Sequence, residues 1–181
     1  MRKFLKSNQI PYRSVFVILL IATGILLASA CVRYSFTGTS IPEGVNTIFI
    51  PFFADQSSGE VPDLSDRLNQ ALVDRFINQS RLQLADNRNG ADAVLEGSIV
   101  SYSSSPFSVA GDERAEQNQV KISVRAQLQF ADKEKSEWNK GFSGTSTYDP
   151  NESPIEGETN AAQEALEQIA NNMFNDAVSG W

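Results

Sequence analysis

From Gln119 to Phe130 the sequence alternates without a break. Val120, Ile122, Val124, Ala126, Leu128 and Phe130 are apolar, while Gln119, Lys121, Ser123, Arg125, Gln127 and Gln129 are polar. A period of two puts successive side chains on opposite faces of a strand, so this twelve-residue run requires a sheet with one dry face and one wet face. The rest of the chain must cover the dry side. The wet side is left for water or for another protein.

The neighbouring segments fit that demand. Trp138 to Tyr148 reads as a returning strand, with Trp138, Phe142 and Tyr148 in phase behind a charged turn at residues 131–137. Ala91 to Tyr102 reads as the strand before, so the three form a meander. Between them, Ser103 to Asn118 is a polar connection with three consecutive serines, Pro106, Gly111 and the charged run Asp112-Glu113-Arg114. Its 16 residues exceed what a hairpin needs, and long loops in compact domains tend to carry function.

Upstream, Thr47 to Phe53 is β-branched and aromatic and reads as a strand with Ile48, Ile50 and Phe52 on one face. Pro51 cannot donate to a ladder, which places it at an edge or near the strand's end. Arg81 to Ala85 alternates as a short strand. Two amphipathic segments supply the cover. One runs from Pro62 to about Gln79, with Leu64, Leu68, Ala71, Leu72 and Phe76 on a stripe; the other runs from Ile155 or Thr159 to Ser179, with Ala162, Leu166, Ile169, Met173 and Ala177. The expected fold is α+β: a two-layer sandwich of a mixed, mostly antiparallel sheet of four to five strands with two helices on one face.

Composition narrows the function. The chain has 181 residues, 15 Lys+Arg, 22 Asp+Glu, one Cys and no His. Without His there is no Ser-His-Asp or Cys-His catalysis and no His-based metal site; one Cys excludes an internal disulfide and any Cys cluster. The carboxylate groups Asp132/Glu134/Glu137 and Glu152/Glu156/Glu158 lie in turns or at a helix start, where solvation or the helix dipole accounts for them. No glycine spacing cradles a phosphate, and no Asp-rich loop has calcium-binding spacing. An enzyme is not expected, nor is a metal or cofactor. Against this acidic background Arg114, Lys121 and Arg125, in or beside the long loop, are the candidate contacts for an anionic ligand. The same cations also suit an ordinary wet strand face.

The first thirty residues read as an address. Arg2, Lys3, Lys6 and Arg13 precede an uncharged apolar run, Ser14 to Ala30, which at 17 residues is short for a bilayer span of about 20. Removing residues 1–30 leaves 11 basic and 22 acidic side chains and moves the formal charge from −7 to −11. Such a surface repels phosphate backbones, so no nucleic-acid partner is expected. Ala28-Ser29-Ala30-Cys31 resembles the lipobox of bacterial lipoproteins, with Ala28 where Leu is commonest. The resemblance implies cleavage before Cys31 and covalent diacylglycerol and N-acyl lipid on it. Taken alone, the residues also fit a plain signal peptide with an incidental Cys, or an uncleaved anchor. The expected organisation is a signal peptide at 1–30, a lipidated tether at 31–46 and one α+β domain at 47–181.

Beyond Cys31 the chain carries Tyr34-Ser35-Phe36-Thr37-Gly38, then Ile48-Phe49-Ile50-Pro51-Phe52-Phe53, Glu96-Gly97-Ser98-Ile99, Ala115-Glu116-Gln117-Asn118-Gln119-Val120, and finally Phe174-Asn175-Asp176-Ala177 with Trp181. In this series it resembles the lipopolysaccharide-assembly lipoproteins of the LptE family, in their Bacteroidetes form. It departs at Cys31-Val32-Arg33-Tyr34, where members commonly place Gly between the Cys and the Tyr. The resemblance implies an outer-membrane lipoprotein, lipid-anchored with its domain on the periplasmic side or within a barrel lumen. There it would plug a β-barrel translocon, help that barrel fold, and assist lipopolysaccharide transport into the outer leaflet. Its partners would be that barrel, lipopolysaccharide and the membrane. The strand–helix–strand–strand segment also resembles, more loosely, lipoproteins that activate peptidoglycan synthases or assemble secretion channels. Copurification of a translocon barrel or of a penicillin-binding protein separates these two readings.

Overall fold

The computed structural model describes residues 41, 44–58, 61–107, 117–134 and 136–179. Cys31, the apolar run 14–30 and Arg114 lie outside the described residues, as do most of the expected tether and the tip of the long loop. In chain order the elements are β1 (Thr47–Phe49), β2 (Ala54–Asp55), α1 (Leu64–Val73) with a π-helical turn at Asp74–Asn78, β3 (Gln83–Leu84), a 3₁₀ turn at Arg88–Gly90, β4 (Ala93–Phe107), β5 (Gln117–Phe130), β6 (Trp138–Tyr148) and α2 (Pro154–Ser179). No described helix is long and apolar enough to cross a membrane.

The sheet runs β3-β1-β4-β5-β6, and β2 also pairs with β4. β1 and β2 lie parallel to β4, and β3 lies parallel to β1; β4, β5 and β6 form the antiparallel meander. Both helices cover one side of this mixed sheet, as the alternation of β5 requires. Val120, Ile122, Val124, Ala126, Leu128 and Phe130 are buried there with Leu64, Leu68, Leu72, Leu166, Ile169 and Met173 in one apolar cluster. Each large side chain so buried stabilises by about 1.5–3 kcal/mol. The architecture is the expected two-layer α+β sandwich.

The sixth strand has a local cause. β1 and β2 follow the same edge of β4, Phe49 opposite Val94 and Ala54 opposite Ser98, so five steps on one line match four on the other. Pro51 sits in that gap, where its missing N–H costs no ladder bond. The extra residue flips the phase: Ile48 and Ile50 are buried as expected, but Phe52 is 66% exposed and Phe53 is 1% exposed. The ring of Phe53 lies over Gly97, where a Cβ would come within 2.7 Å of its Cε1 and 2.9 Å of the Ala126 Cα.

Polar bonds fix the start of β1. Asp92, just before β4, accepts from the backbone N–H groups of Asn46 and Thr47 and from the Thr47 hydroxyl, all at 2.9 Å; that hydroxyl in turn accepts from the Asp92 N–H at 3.0 Å. Arg81 donates to the Asn46 side chain at 3.1 Å and to the Ile41 carbonyl at 3.0 Å. The backbone bond from Asn46 and the two from Thr47 hold the Asp92 carboxyl below its ordinary pKa. A lowered folded-state pKa contributes stability that is present above the unfolded value and lost as pH falls through the folded one. Asp92→Asn is therefore expected to flatten the acid limb of a stability-against-pH curve measured by urea unfolding. An acid limb as steep as that of the parent chain would exclude Asp92 as its source.

The helices follow their end signals. Asp63 opens α1 with a left-handed φ of 62° and no side-chain cap bond. α2 begins at Pro154, where the fixed φ of proline suits a first helical residue. At the other end of the sheet, Tyr102 donates to Glu158 at 2.5 Å, and burial first, then Glu158, push its phenol above the ordinary range. Tyr102 thus stays a donor that ties β4 to α2.

Candidate functional site on the open sheet face

The side of the sheet away from the helices is mostly polar, with Phe49 and Val94 at one end and Phe107 at the other. β4 contributes Glu96, Ser98, Ser101, Ser103 and Ser105; β5 contributes Gln117, Gln119, Lys121, Ser123, Arg125, Gln127 and Gln129. β6 adds Asn139, Ser143, Thr145 and Thr147. This face is longer than the sequence implied. Residues 103–107 and 117–118, read as loop, are strand, with Ser103 opposite Lys121 and Phe107 opposite Gln117. Serine has little strand preference of its own; the partner strand imposes it.

Lys121 lies between Ser103 and Thr145, and Arg125 lies between Ser98 and Gly141. Both side chains are exposed. Four residues apart on one strand face, they stand about 13 Å from each other. Among the described residues neither has an ion-pair partner; the ion pairs there are Arg88–Glu96, Lys133–Glu137 and Lys140–Asp176. A shallow depression around Arg125 is walled by Glu96, Ser98, Gln127 and Asn139. At that end Arg88 pairs with Glu96, Gln127 donates to Glu96 at 2.7 Å, and Asn139 donates to Gln127 at 3.2 Å. Sequence reading missed this chain of bonds because its members sit on four separate elements. The only advance signal was their shared phase.

Charge is divided between the layers. α2 carries Glu156, Glu158, Glu164, Glu167 and Asp176 and no basic residue. The open face carries Lys121 and Arg125, and its Glu96 is already paired with Arg88. An anion approaching the domain is repelled by the helix layer and attracted to the sheet. What the open face can do chemically is bind: it offers hydroxyls, amides and two cations. Among the described residues no three acidic or Cys side chains form a metal cluster.

The family model for lipopolysaccharide assembly, LptE, matches residues 45–177. The chain belongs to the LptE family. Solved structures share its fold. A protein from Xanthomonas campestris is 12% identical, with a TM-score of 0.53 over 75% of this chain and 85% of its own. A protein from Chlamydia trachomatis is 10% identical, with a TM-score of 0.50 over 75% and 94%. No curated protein matches the sequence. The match spans β1 to the last turn of α2, so the open face described above is the sheet face of an LptE-family domain.

Proposed function

We propose that this LptE-family chain is a non-enzymatic outer-membrane lipoprotein of lipopolysaccharide assembly. Its anchor is lipid carried on Cys31, and its domain sits as a plug in the lumen of a β-barrel translocon. The open, mostly polar sheet face carries the reading: a hydrophilic lumen needs a wet surface, and this one spans three long strands. Lys121 and Arg125 on that face, with Arg114 from the sequence between β4 and β5, are the contacts for the anionic sugar phosphates of lipopolysaccharide. Three acyl chains on Cys31 give firm attachment, at about 0.8 kcal/mol per buried CH₂.

The binding part is tested with the double variant Lys121→Glu/Arg125→Glu. Both side chains are exposed, so the fold is expected to survive. Lipopolysaccharide binding at low ionic strength is expected to fall at least tenfold, because two attractive charges become repulsive and are little screened. Unchanged affinity would remove both residues from the site. The anchor is tested by intact mass of membrane-extracted protein, which is expected to equal residues 31–181 plus lipid. A free thiol at Cys31 would defeat it.

A further inference from the structure

The outer edge of the sheet is β6, and no strand among the described residues pairs with its free side. The Thr145 N–H points off that edge, donating to the Gln168 side chain of α2 at 2.9 Å. In an antiparallel strand the backbone groups alternate sides, and β6 keeps an unbroken register against β5 from Trp138 to Tyr148. Asn139, Gly141, Ser143 and Thr147 therefore turn their N–H and C=O groups outward with Thr145. Among the described residues, Gln168 at Thr145 is the one side-chain cap seen on these five positions.

Edges of this length are normally blunted by proline, a bulge or exposed charge. β6 has no proline and no register shift. Its one charge, Lys140, is drawn to Asp176 on α2 at 2.7 Å. The opposite edge offers nothing similar, since β3 and β2 are two residues each. What borders β6 is acidic. Ser146 donates to Glu164 at 2.5 Å, Gln168 reaches Thr145, and Asp176 holds Lys140, so one side of α2 follows the whole edge. A second copy paired β6 to β6 would bring two such helices together, each presenting Glu164 and Asp176 and no base to the edge, while Glu158 bonds Tyr102 on β4 and Glu167 lies beside α1. Like charge disfavours that arrangement and favours a basic strand.

We propose that β6 receives an extended segment of a partner protein as an added strand, with Lys or Arg side chains on the face beside α2. The main-chain bonds supply affinity and the helix supplies selection for positive charge.

The test uses the full chain in detergent and a labelled ten-residue peptide of alternating Lys and Thr. Peptide binding is expected to slow amide exchange at least tenfold at Gly141, Ser143 and Thr147, leaving the inward amides of β6 unchanged. Ser143→Pro removes one outward donor without touching the β5 ladder and is expected to weaken binding at least tenfold. A Glu/Thr peptide is expected to bind at least tenfold more weakly than the Lys/Thr peptide. No protection of the outward amides, or full affinity in Ser143→Pro, would overturn the proposal. If that variant does not fold, a peptide methylated on alternate amide nitrogens replaces it, and binding unaffected by methylation would overturn the proposal equally. A dimer of the chain without peptide, abolished by Ser143→Pro, would show a second copy as occupant and overturn the choice of a basic partner strand.

Discussion

Gly144→Val is expected to destabilise the domain by at least about 3 kcal/mol. Gly144 sits on β6 opposite Ile122, against the backbone of α2 at Ala165. A Cβ there would overlap the Ala165 carbonyl oxygen and come within 3.1 Å of the Ala165 Cα. The obstacle is helix backbone, which cannot swing aside as a side chain would. Relief requires α2 to lift, and that opens the packing of Ala162, Leu166 and Ile169, all fully buried. Gly141, three residues away on the same strand, is the control. A Cβ there meets only the Val124 carbonyl oxygen, at 4.0 Å. Gly141→Val is expected to be neutral or slightly stabilising, as valine suits a strand. Urea unfolding of the pair reads the contrast, and equal midpoints would contradict the close approach of α2.

Phe53→Ala is expected to cost about 3–5 kcal/mol, whereas Phe52→Ala is expected to change stability by less than about 0.5 kcal/mol. Phe53 is among the largest fully buried side chains, and Phe52 is mostly in water. Deleting Phe53 empties the space over Gly97, which has no side chain of its own to fill it. Strict alternation from Ile48 would place the burden on Phe52 instead. The two variants therefore discriminate a broken edge line from an unbroken strand. Equal losses in chemical denaturation would contradict the phase change at Pro51.

The contrast between these aromatics shows where sequence was informative. β5 and β6 were legible because burial on one side alone imposes a period of two, and α1 and α2 because their stripes must face a sheet. Proline at position 51 announced an edge, yet whether the chain would end, bend or insert a residue there depends on β4, which no local pattern encodes. Ser103 to Phe107 failed for a related reason: serines carry no signal for a ladder that Gln117 to Lys121 enforces from across the sheet. Similarly, α1 was expected to run regularly to about Gln79, but its final turn widens to a π turn at Asp74–Asn78. Phe76 is still buried there, edge-on to Phe174 at 5.2 Å. At the candidate site, Lys121 and Arg125 were recognisable as cations on the wet phase of one strand. Their isolation from the described acids was not, because it depends on Glu96 already being taken by Arg88, a residue from another element.

The proposed role in lipopolysaccharide assembly is tested by depleting the protein and measuring lipopolysaccharide on the surface of intact cells. Surface lipopolysaccharide is expected to fall as the protein is lost, and to recover with the parent chain but not with Lys121→Glu/Arg125→Glu. Normal surface levels after complete depletion would contradict the claim.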